Sequence, residues 1–256
     1  MKLIETLLSM VIVCNAAAAD KDCSFYKFMV LGDVHYADAQ YYAAPDLQKR
    51  KSIEKYVGMW AFHSRDLLAA AGRCASRESV SLVIQLGDLT NGECGTAKLH
   101  EQMFRDAFRT VKEFFPGKPL YAVKGNHDVW QQYGESSAPA DKILLPLVAG
   151  ELGRKELRNG NYAFRKGRDL FIAIDCFTKD ETCLSFISRI LLQNPDTRYV
   201  FLLTHYPLFP AAVNSPLCLI PDYDQISRLL EKRKALILAA HTHAFSIVSR
   251  TTNRGN

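Results

Sequence analysis

Residues 82–92 read LVIQLGDLTNG, a short apolar run that stops abruptly at a cluster of Gly, Asp, Thr and Asn. An apolar run of this length, rich in branched side chains, is typical of a buried strand. The same unit recurs along the chain, where short apolar runs end in Asp, His, Asn or Gly within residues 28–35, 120–128, 199–207 and 235–243. The fold therefore depends on several buried strands, each followed by a polar loop.

Segments with the apolar spacing of helices lie between these strands, at 46–75, 97–115 and 224–234. Alternating strands and helices predict an α/β protein with at least partly parallel sheets. The middle of the chain differs, because turn residues at 159–161 and 166–169 precede two further apolar runs and indicate antiparallel strands. A mixed sheet, or two packed sheets, is therefore favoured over a doubly wound sheet.

The composition is that of a globular protein with a substantial core. The chain has 256 residues, of which 48% are hydrophobic and 23% charged, so disorder, collagen-like sequence, coiled coil and a disulfide miniprotein are excluded. The net charge of +5 is spread over scattered clusters, which predicts no specific nucleic-acid binding and leaves a general attraction for anionic substrates open. No apolar run after residue 20 approaches the roughly 20 residues of a transmembrane segment.

The first 19 residues have the pattern of a secretory signal peptide. Leu7–Cys14 forms a short apolar core, and Ala16–Ala19 supplies small residues for cleavage near Ala19. We therefore expect a secreted or periplasmic protein, with an uncleaved apolar first helix as the alternative. A lipoprotein anchor through Cys14 is disfavoured because bulky Val13 precedes it.

The number of cysteines is compatible with export but does not predict which of them form disulfides. Cleavage would leave an even number of cysteines, which permits disulfides in an exported protein. The pairing stays open, and ordinary buried thiols are the alternative. The cysteines concerned are Cys23, Cys74, Cys94, Cys176, Cys183 and Cys218.

The histidines are concentrated where the strands are expected to end. Five of the seven directly follow an apolar run: His35, His127, His205, His241 and His243. Because strand ends in open α/β sheets converge on one crevice, these side chains predict a shared polar site. The other two, His63 and His100, fall in helical patterns and are interpreted as surface or partner-satisfied histidines.

Spacing supports convergence on one site. Asp33 and His35 stand two residues apart, as do His241 and His243, and in extended backbone such pairs point to the same side. Glycines at 32, 87 and 125 come shortly before the polar residues and allow tight turns there.

The candidate ligands are too numerous for one metal ion. One zinc ion takes about three or four protein ligands, so seven candidates suit two ions. Imidazole and oxygen ligands without thiolate favour Mn, Fe or Zn. Two metals about 4 Å apart suit in-line attack on phosphorus. The candidates are Asp33, His35, Asp88, Asn126, His205, His241 and His243.

Taken together, these motifs resemble the calcineurin-like metallophosphoesterases in order and separation. The matching residues are Asp33-Val34-His35, Gly87-Asp88, Gly125-Asn126-His127-Asp128, His205 and His241-Thr242-His243. The resemblance implies a four-layer αββα sandwich, in which two packed mixed sheets are flanked by helices. It spans most of residues 20–256, which we expect to form a single catalytic domain. Because few residues follow His243, a C-terminally truncated domain is one interpretation.

The resemblance also implies a role for each residue. Asp33, His35 and His243 would hold the first metal ion, and Asn126, His205 and His241 the second. Asp88 would bridge the two ions. His127 would assist the leaving group, and Asp128 would orient His127. The implied reaction is hydrolysis of a phosphate ester by in-line attack of a metal-bridging hydroxide.

Departures from the family pattern leave the branch open. Ala240 replaces the usual glycine before the last motif, and Asn91 stands where purple acid phosphatases have tyrosine, which argues against a tyrosinate–iron site. Thr90-Asn91-Gly92 is similar to the cyclic-nucleotide phosphodiesterase branch, whereas Tyr36-Ala37-Asp38 is similar to the nucleotide-diphosphate hydrolase branch.

The substrate class is correspondingly broad. We expect a small phosphorylated substrate, with nucleotides among the candidates; the oligomeric state stays open. A non-catalytic, metal-binding secreted domain is the remaining alternative. The loops 36–46, 129–142 and 206–222 are expected to select the substrate.

Overall fold

The structure is a computed structural model, and it describes seven parts of the chain: residues 12–16, 25–43, 63–131, 134–135, 138–177, 181–209 and 220–243. The predicted cleavage site near Ala19 lies outside these residues, as do Cys23 and Cys218. Among the helices that the structure describes, none has the length and apolar character needed to span a membrane.

The first sheet holds the N-terminal strands in the order β1-β2-β3-β4. Strands β2, β3 and β4 run parallel, and β1 pairs with β2 in the antiparallel direction. The bounds are Ile12–Ala16 for β1, Tyr26–Leu31 for β2, Leu82–Gln85 for β3 and Leu120–Ala122 for β4. Strand β1 lies within the predicted signal peptide, so the part of this sheet that carries the motifs consists of β2–β4.

The second sheet has the order β10-β9-β8-β7. Strands β8, β9 and β10 are parallel, and β7 forms the expected antiparallel pair with β8. The bounds are Tyr162–Lys166 for β7, Asp169–Ala173 for β8, Val200–Leu203 for β9 and Ala235–Leu238 for β10. A small ribbon of β5 (Trp130–Gln131) and β6 (Gly134–Glu135) follows the 125–128 motif.

The two sheets pack through alternate side chains of their strands. In β8, Phe171 and Ala173 face the shared core, whereas Leu170 and Ile172 face the other way. Phe28 of β2 meets Phe171 edge-on, with ring centroids 5.5 Å apart. Contacts of this kind join the sheets into one sandwich.

Helices cover both outer faces. Helices α1 (Ser64–Arg77), α2 (Ala97–Phe114) and α3 (Ala138–Glu151) share the core of the first sheet. Helices α4 (Cys183–Gln193) and α5 (Tyr223–Leu230) pack on the second sheet. The predicted α/β fold with two packed mixed sheets flanked by helices is therefore confirmed.

Two helices were not expected from the sequence. Pro146 lies inside α3, and proline argues against a helix because it lacks the backbone N–H donor. The start of α3 also overlaps the predicted loop 129–142, which is therefore partly helical.

Helix α4 is the second helix that was not expected. It begins at an N-cap, since the Thr182 hydroxyl accepts a hydrogen bond from the backbone N–H of Ser185 at 3.2 Å.

The strand-end loops join one another at one edge of the sandwich. Backbone hydrogen bonds connect His35 to Asp88 at 2.8 Å and Tyr36 to Leu89 at 2.9 Å. The imidazole Nδ1 of His205 donates to the Leu86 carbonyl at 2.9 Å, which connects the second sheet to the first. The polar loops of both sheets thus meet in a single crevice, as the strand directions require.

Candidate metal centre

Two glycines make room for the side chains of this crevice. A Cβ atom on Gly125 would lie 2.2 Å from the Asp88 carboxylate, and one on Gly87 would lie 2.5 Å from the His205 ring. Gly87 also has a φ of 92°, in the left-handed region that glycine adopts at little cost. These two motif glycines are therefore needed for close approach as well as for turning.

The backbone is strained where it carries the candidate ligands. Five of the seven have a positive φ: Asp33, His35, Asp88, His241 and His243, with values from 45° to 70°. Such residues cost about 1–3 kcal/mol each and cluster at functional sites. The prediction that Asp33 and His35, and likewise His241 and His243, lie in extended backbone is therefore wrong, because these residues lie in tightly turned loops after the strands.

The first predicted ligand set comes together in the structure. His35 Nε2 and His243 Nε2 lie 3.1 Å apart, and His243 Nε2 lies 3.7 Å from Asp33 Oδ1. Both oxygens of Asp33 also accept the backbone N–H of His241, at 3.1 and 3.0 Å. The His243 side chain is 47% exposed, against 1% for His35, so the crevice opens to solvent beside His243.

The second predicted set is equally compact. His205 Nε2 lies 2.9 Å from Asn126 Oδ1 and 3.2 Å from His241 Nδ1. His241 and His243, although two residues apart, thus belong to different sets. The turned backbone at His241 and His243 directs their side chains to different sets.

Asp88 lies between the two sets. Its Oδ2 atom is 3.7 Å from His35 Nε2 and 3.4 Å from His205 Nε2. Its Oδ1 atom accepts the backbone N–H of His127 at 2.7 Å, which fixes the carboxylate plane. One carboxylate therefore faces a ligand of each set, as a bridging ligand must.

These distances fit metal coordination. Two ligands about 2.1 Å from one ion lie about 3.0 Å apart at right angles and about 3.4 Å apart at the tetrahedral angle. The paired nitrogens of the two sets, at 3.1 and 3.2 Å, fall between these values. The described groups that could hold an ion are Asp33 with His35 and His243, His35 with Asp88 and His127, and Asp88 with His205 and His241. All donors in these groups are imidazole or carboxylate, the ligands that Mn, Fe and Zn accept.

Burial and charge set the protonation states. Burial lowers the pKa of His35 to about 3 and that of His241 to about 4, which favours neutral imidazoles with a lone pair for a metal. Burial also acts to lower the pKa of His205, but Asp88 and Asp33 outweigh it and raise this pKa to about 9. Burial raises the pKa of Asp33 to about 7.

Asp88 behaves differently from Asp33. Burial alone would raise the pKa of Asp88, but the charge of His205 outweighs this effect and holds that pKa below its usual value. Of these two carboxyl groups, Asp88 at the centre of the site is therefore the more firmly ionised.

His127 is held by a backbone carbonyl. Its Nδ1 atom lies 2.8 Å from the carbonyl oxygen of Asn91, and its ring meets the His35 ring edge-on at 4.6 Å between centroids. Because a carbonyl only accepts, Nδ1 carries a proton, and Nε2 is the atom that can serve a substrate. The structure thus gives Asn91 the orienting contact that the family resemblance implies for Asp128.

The Asp128 carboxylate instead forms hydrogen bonds with the loops around the site. It is fully buried, and its carboxylate accepts hydrogen bonds from Leu89 N, Thr90 N, Thr90 Oγ1 and Gly125 N, at 2.9–3.2 Å. Its contact with Thr90 holds the segment whose next residue, Asn91, orients His127. Asp128 is therefore expected to act on His127 indirectly.

His100 proves to be a partner-satisfied histidine, as one of the two sequence interpretations expects. It is fully buried on α2, and its Nε2 lies 3.0 Å from the Thr90 hydroxyl. Since that hydroxyl donates to Asp128, His100 Nε2 is the donor in this contact. His63 is the exposed residue that precedes α1.

The sequence did not point to Lys124, which supports the site although it belongs to none of the motifs. Lys124, only 3% exposed, pairs with Asp175 and Asp141, each at 2.7 Å, and so connects the ends of β4 and β8. Lys124 does stand next to the 125–128 motif, and that position was the only available signal. Nothing in the spacing pointed to the backbone of Asn91.

The family model described as calcineurin-like phosphoesterase matches residues 26–245. A sequence comparison with curated proteins gives no match.

Two solved structures show the fold. A dimetal phosphatase from Danio rerio is similar with a TM-score of 0.58 and 19% identity, over 84% of this chain and 80% of that one. A purple acid phosphatase from yellow lupin (Lupinus luteus) seeds is similar with a TM-score of 0.50 and 13% identity, over 85% of this chain and 40% of that one.

Proposed function

Because the chain belongs to the calcineurin-like phosphoesterase family, whose members hydrolyse phosphate esters, we propose that it hydrolyses a small phosphate ester with His127 assisting the leaving group. One observation carries this proposal. Asp88 Oδ2 faces His35 on one side and His205 on the other, at 3.7 and 3.4 Å, so one carboxylate joins two ligand sets. A purely structural metal site is closed and needs only one such set.

Each set would hold one metal ion: Asp33, His35 and His243 the first, and Asn126, His205 and His241 the second. When bound, such ions supply Lewis-acid catalysis, since they polarise phosphoryl oxygens and lower the pKa of a water nucleophile. Mn, Fe and Zn are all compatible with this donor set.

The chain's own groups complete the site. His127 stands beside both sets, since its ring touches that of His35 and its backbone N–H bonds to Asp88. With Nδ1 bonded to Asn91, the Nε2 atom can hold a proton for the leaving oxygen. The half-exposed His243 marks the side from which a substrate enters.

The proposed substrate is a phosphorylated small molecule, and two nucleotide-directed activities are the alternatives. A nucleotide phosphodiesterase and a nucleotide-diphosphate hydrolase would use the same centre, because the metal site handles the phosphoryl group and the loops select what is attached to it.

The test is hydrolysis by metal-loaded protein. Protein stripped with a chelator and reloaded with Mn, Fe or Zn should hydrolyse an aryl phosphate, and the chelated protein should not. A panel of phosphomonoesters, phosphodiesters and nucleotide diphosphates then ranks the three substrate classes by kcat/KM. Stoichiometric metal binding without hydrolysis of any panel member would instead support the non-catalytic metal-binding domain.

Export is a further part of the proposal, and it rests on the apolar Leu7–Cys14 core and the alanines that follow. Mature protein purified from outside the host cytoplasm should begin near Ala19 or Asp20. Mass spectrometry of the intact protein measures this directly, and a mature form that retains Met1 would contradict signal-peptide cleavage.

A further inference from the structure

A buried tyrosine lies behind the loop that orients His127. Tyr42 ends a short 3-10 helix, Ala39–Tyr42, and is 3% exposed. Its hydroxyl donates to the Gly92 carbonyl at 3.1 Å and accepts from Asn91 Nδ2 at 2.9 Å. One phenol thus contacts two consecutive residues of the loop.

The same two residues bracket the acceptor of His127. The carbonyl of Asn91, bonded to His127 Nδ1 at 2.8 Å, belongs to the peptide unit between Asn91 and Gly92. The Asn91 side chain and the Gly92 carbonyl, on either side of this unit, are the groups that Tyr42 holds. Moving the Tyr42 hydroxyl therefore moves the carbonyl that orients the imidazole.

The loop is held in a conformation that needs such support. Gly92 has a φ of 59°, and Asn91 is fully buried, with its backbone N–H donated to the Tyr36 carbonyl at 3.0 Å. The segment that carries Tyr36 and Tyr42 therefore contacts residues 91–92 through main chain and side chains. A buried amide that loses its hydrogen-bond partner is destabilising, so the loop would shift to satisfy it.

We propose that Tyr42 is a positioning residue for His127, acting through the Asn91–Gly92 peptide. The inference rests on the proposed function, because positioning matters only if His127 serves the leaving group. The Asn91 carbonyl accepts the Nδ1 proton of His127 and so aims Nε2, with the proton that it would donate to the leaving oxygen, at the crevice. Without the Tyr42 hydroxyl, the hydrogen bond of Nδ1 and the direction of the ring are less well defined.

Tyr41 provides a matched control. It lies in the same 3-10 helix, is 1% exposed, and its hydroxyl donates to the Asp106 carboxylate on α2. Tyr41→Phe and Tyr42→Phe each remove one buried hydroxyl and keep the ring. Both variants are expected to lose stability, so a shared loss of melting temperature does not distinguish them.

The kinetic experiment compares a good and a poor leaving group. Tyr42→Phe should keep both metal ions and its KM values, and should lower kcat for an alkyl phosphate by about 10-fold while nitrophenyl phosphate changes little. Tyr41→Phe should leave the ratio of the two kcat values unchanged. In a His127→Ala background, Tyr42→Phe should have no further effect on this ratio, since the two residues act in series.

A second readout does not depend on turnover. In zinc-loaded, diamagnetic protein with nitrogen-labelled histidine, the His127 Nδ1 proton should give a slowly exchanging NMR signal. Tyr42→Phe should broaden or lose this signal, and Tyr41→Phe should retain it.

The outcomes separate the two proposals. An unchanged signal and an unchanged kcat ratio in Tyr42→Phe would overturn the positioning role. A wild-type protein without activity towards either ester, yet with the Tyr42-dependent signal, would leave the structural link intact and refute the proposed function.

Discussion

Replacing Asp88 by asparagine is expected to remove at least one metal ion per chain and to lower kcat by more than about 100-fold. The reason is the position of Oδ2, which faces His35 at 3.7 Å and His205 at 3.4 Å. Partners that only orient a metal ligand cost about 10–100-fold when removed, so a bridging ligand should cost at least as much. Elemental analysis and kcat measured on one preparation test both effects.

Asp169→Asn is the matched control for Asp88→Asn. Asp169 is also fully buried, but it lies at the start of β8, at the end of the strand away from the crevice. There its carboxylate pairs with Arg198 and accepts a hydrogen bond from the Tyr26 hydroxyl. This variant should lose thermal stability and keep its metal content. If Asp88→Asn kept full activity after losing one metal equivalent, the bridging assignment would be wrong.

His127→Ala should separate chemistry from metal binding. We expect both metal ions to stay bound, because His127 is assigned to neither ligand set. General-acid assistance is typically worth ~10²–10⁴-fold, and a poor leaving group needs it most. Alkyl phosphates should therefore be slowed far more than nitrophenyl phosphate, as measured by kcat for the two esters.

Two outcomes would contradict this role of His127. Loss of a metal ion would make His127 a ligand, which its proximity to His35 and Asp88 allows. Equal slowing of both esters would indicate that the imidazole binds phosphate charge rather than donating a proton. His63→Ala, at an exposed residue next to α1, serves as the control and should change neither metal content nor rate.

Asp128→Asn is expected to act mainly on stability. Four N–H or O–H donors point at the Asp128 carboxylate, so an amide NH₂ group would oppose one of them. Its effect on the leaving-group preference should be weaker than that of His127→Ala, because it reaches His127 only through Thr90 and Asn91.

Much of the fold was predictable because local sequence and secondary structure agree. The apolar runs at 82–86 and 199–203 became β3 and β9, and the turn residues at 166–169 joined the predicted antiparallel pair. Helix α3 was not predicted, because Pro146 disfavours a helix at this position. Packing of its apolar residues in the core nevertheless stabilises the helix. Residues 46–62 of the first helical pattern lie outside the described part of the chain.

The amino-acid sequence by itself determined which side chains lie together in the crevice. A residue type suited to metals, placed directly after a buried strand, must emerge at the edge where parallel strands end. For that reason all seven candidate ligands, Asp33 to His243, could be named from the strand ends and from the resemblance to a family, without coordinates.

Only the tertiary structure decided how those residues are divided and held. The separation of His241 from His243 follows from left-handed backbone in a loop, and the orientation of His127 follows from a main-chain carbonyl that every residue possesses. Tyr42 is distant from Asn91 in sequence, and a hydrogen bond between them leaves no periodic or compositional trace. Contacts of this kind depend on distances across the folded chain, so they appear only when the loops are packed against one another.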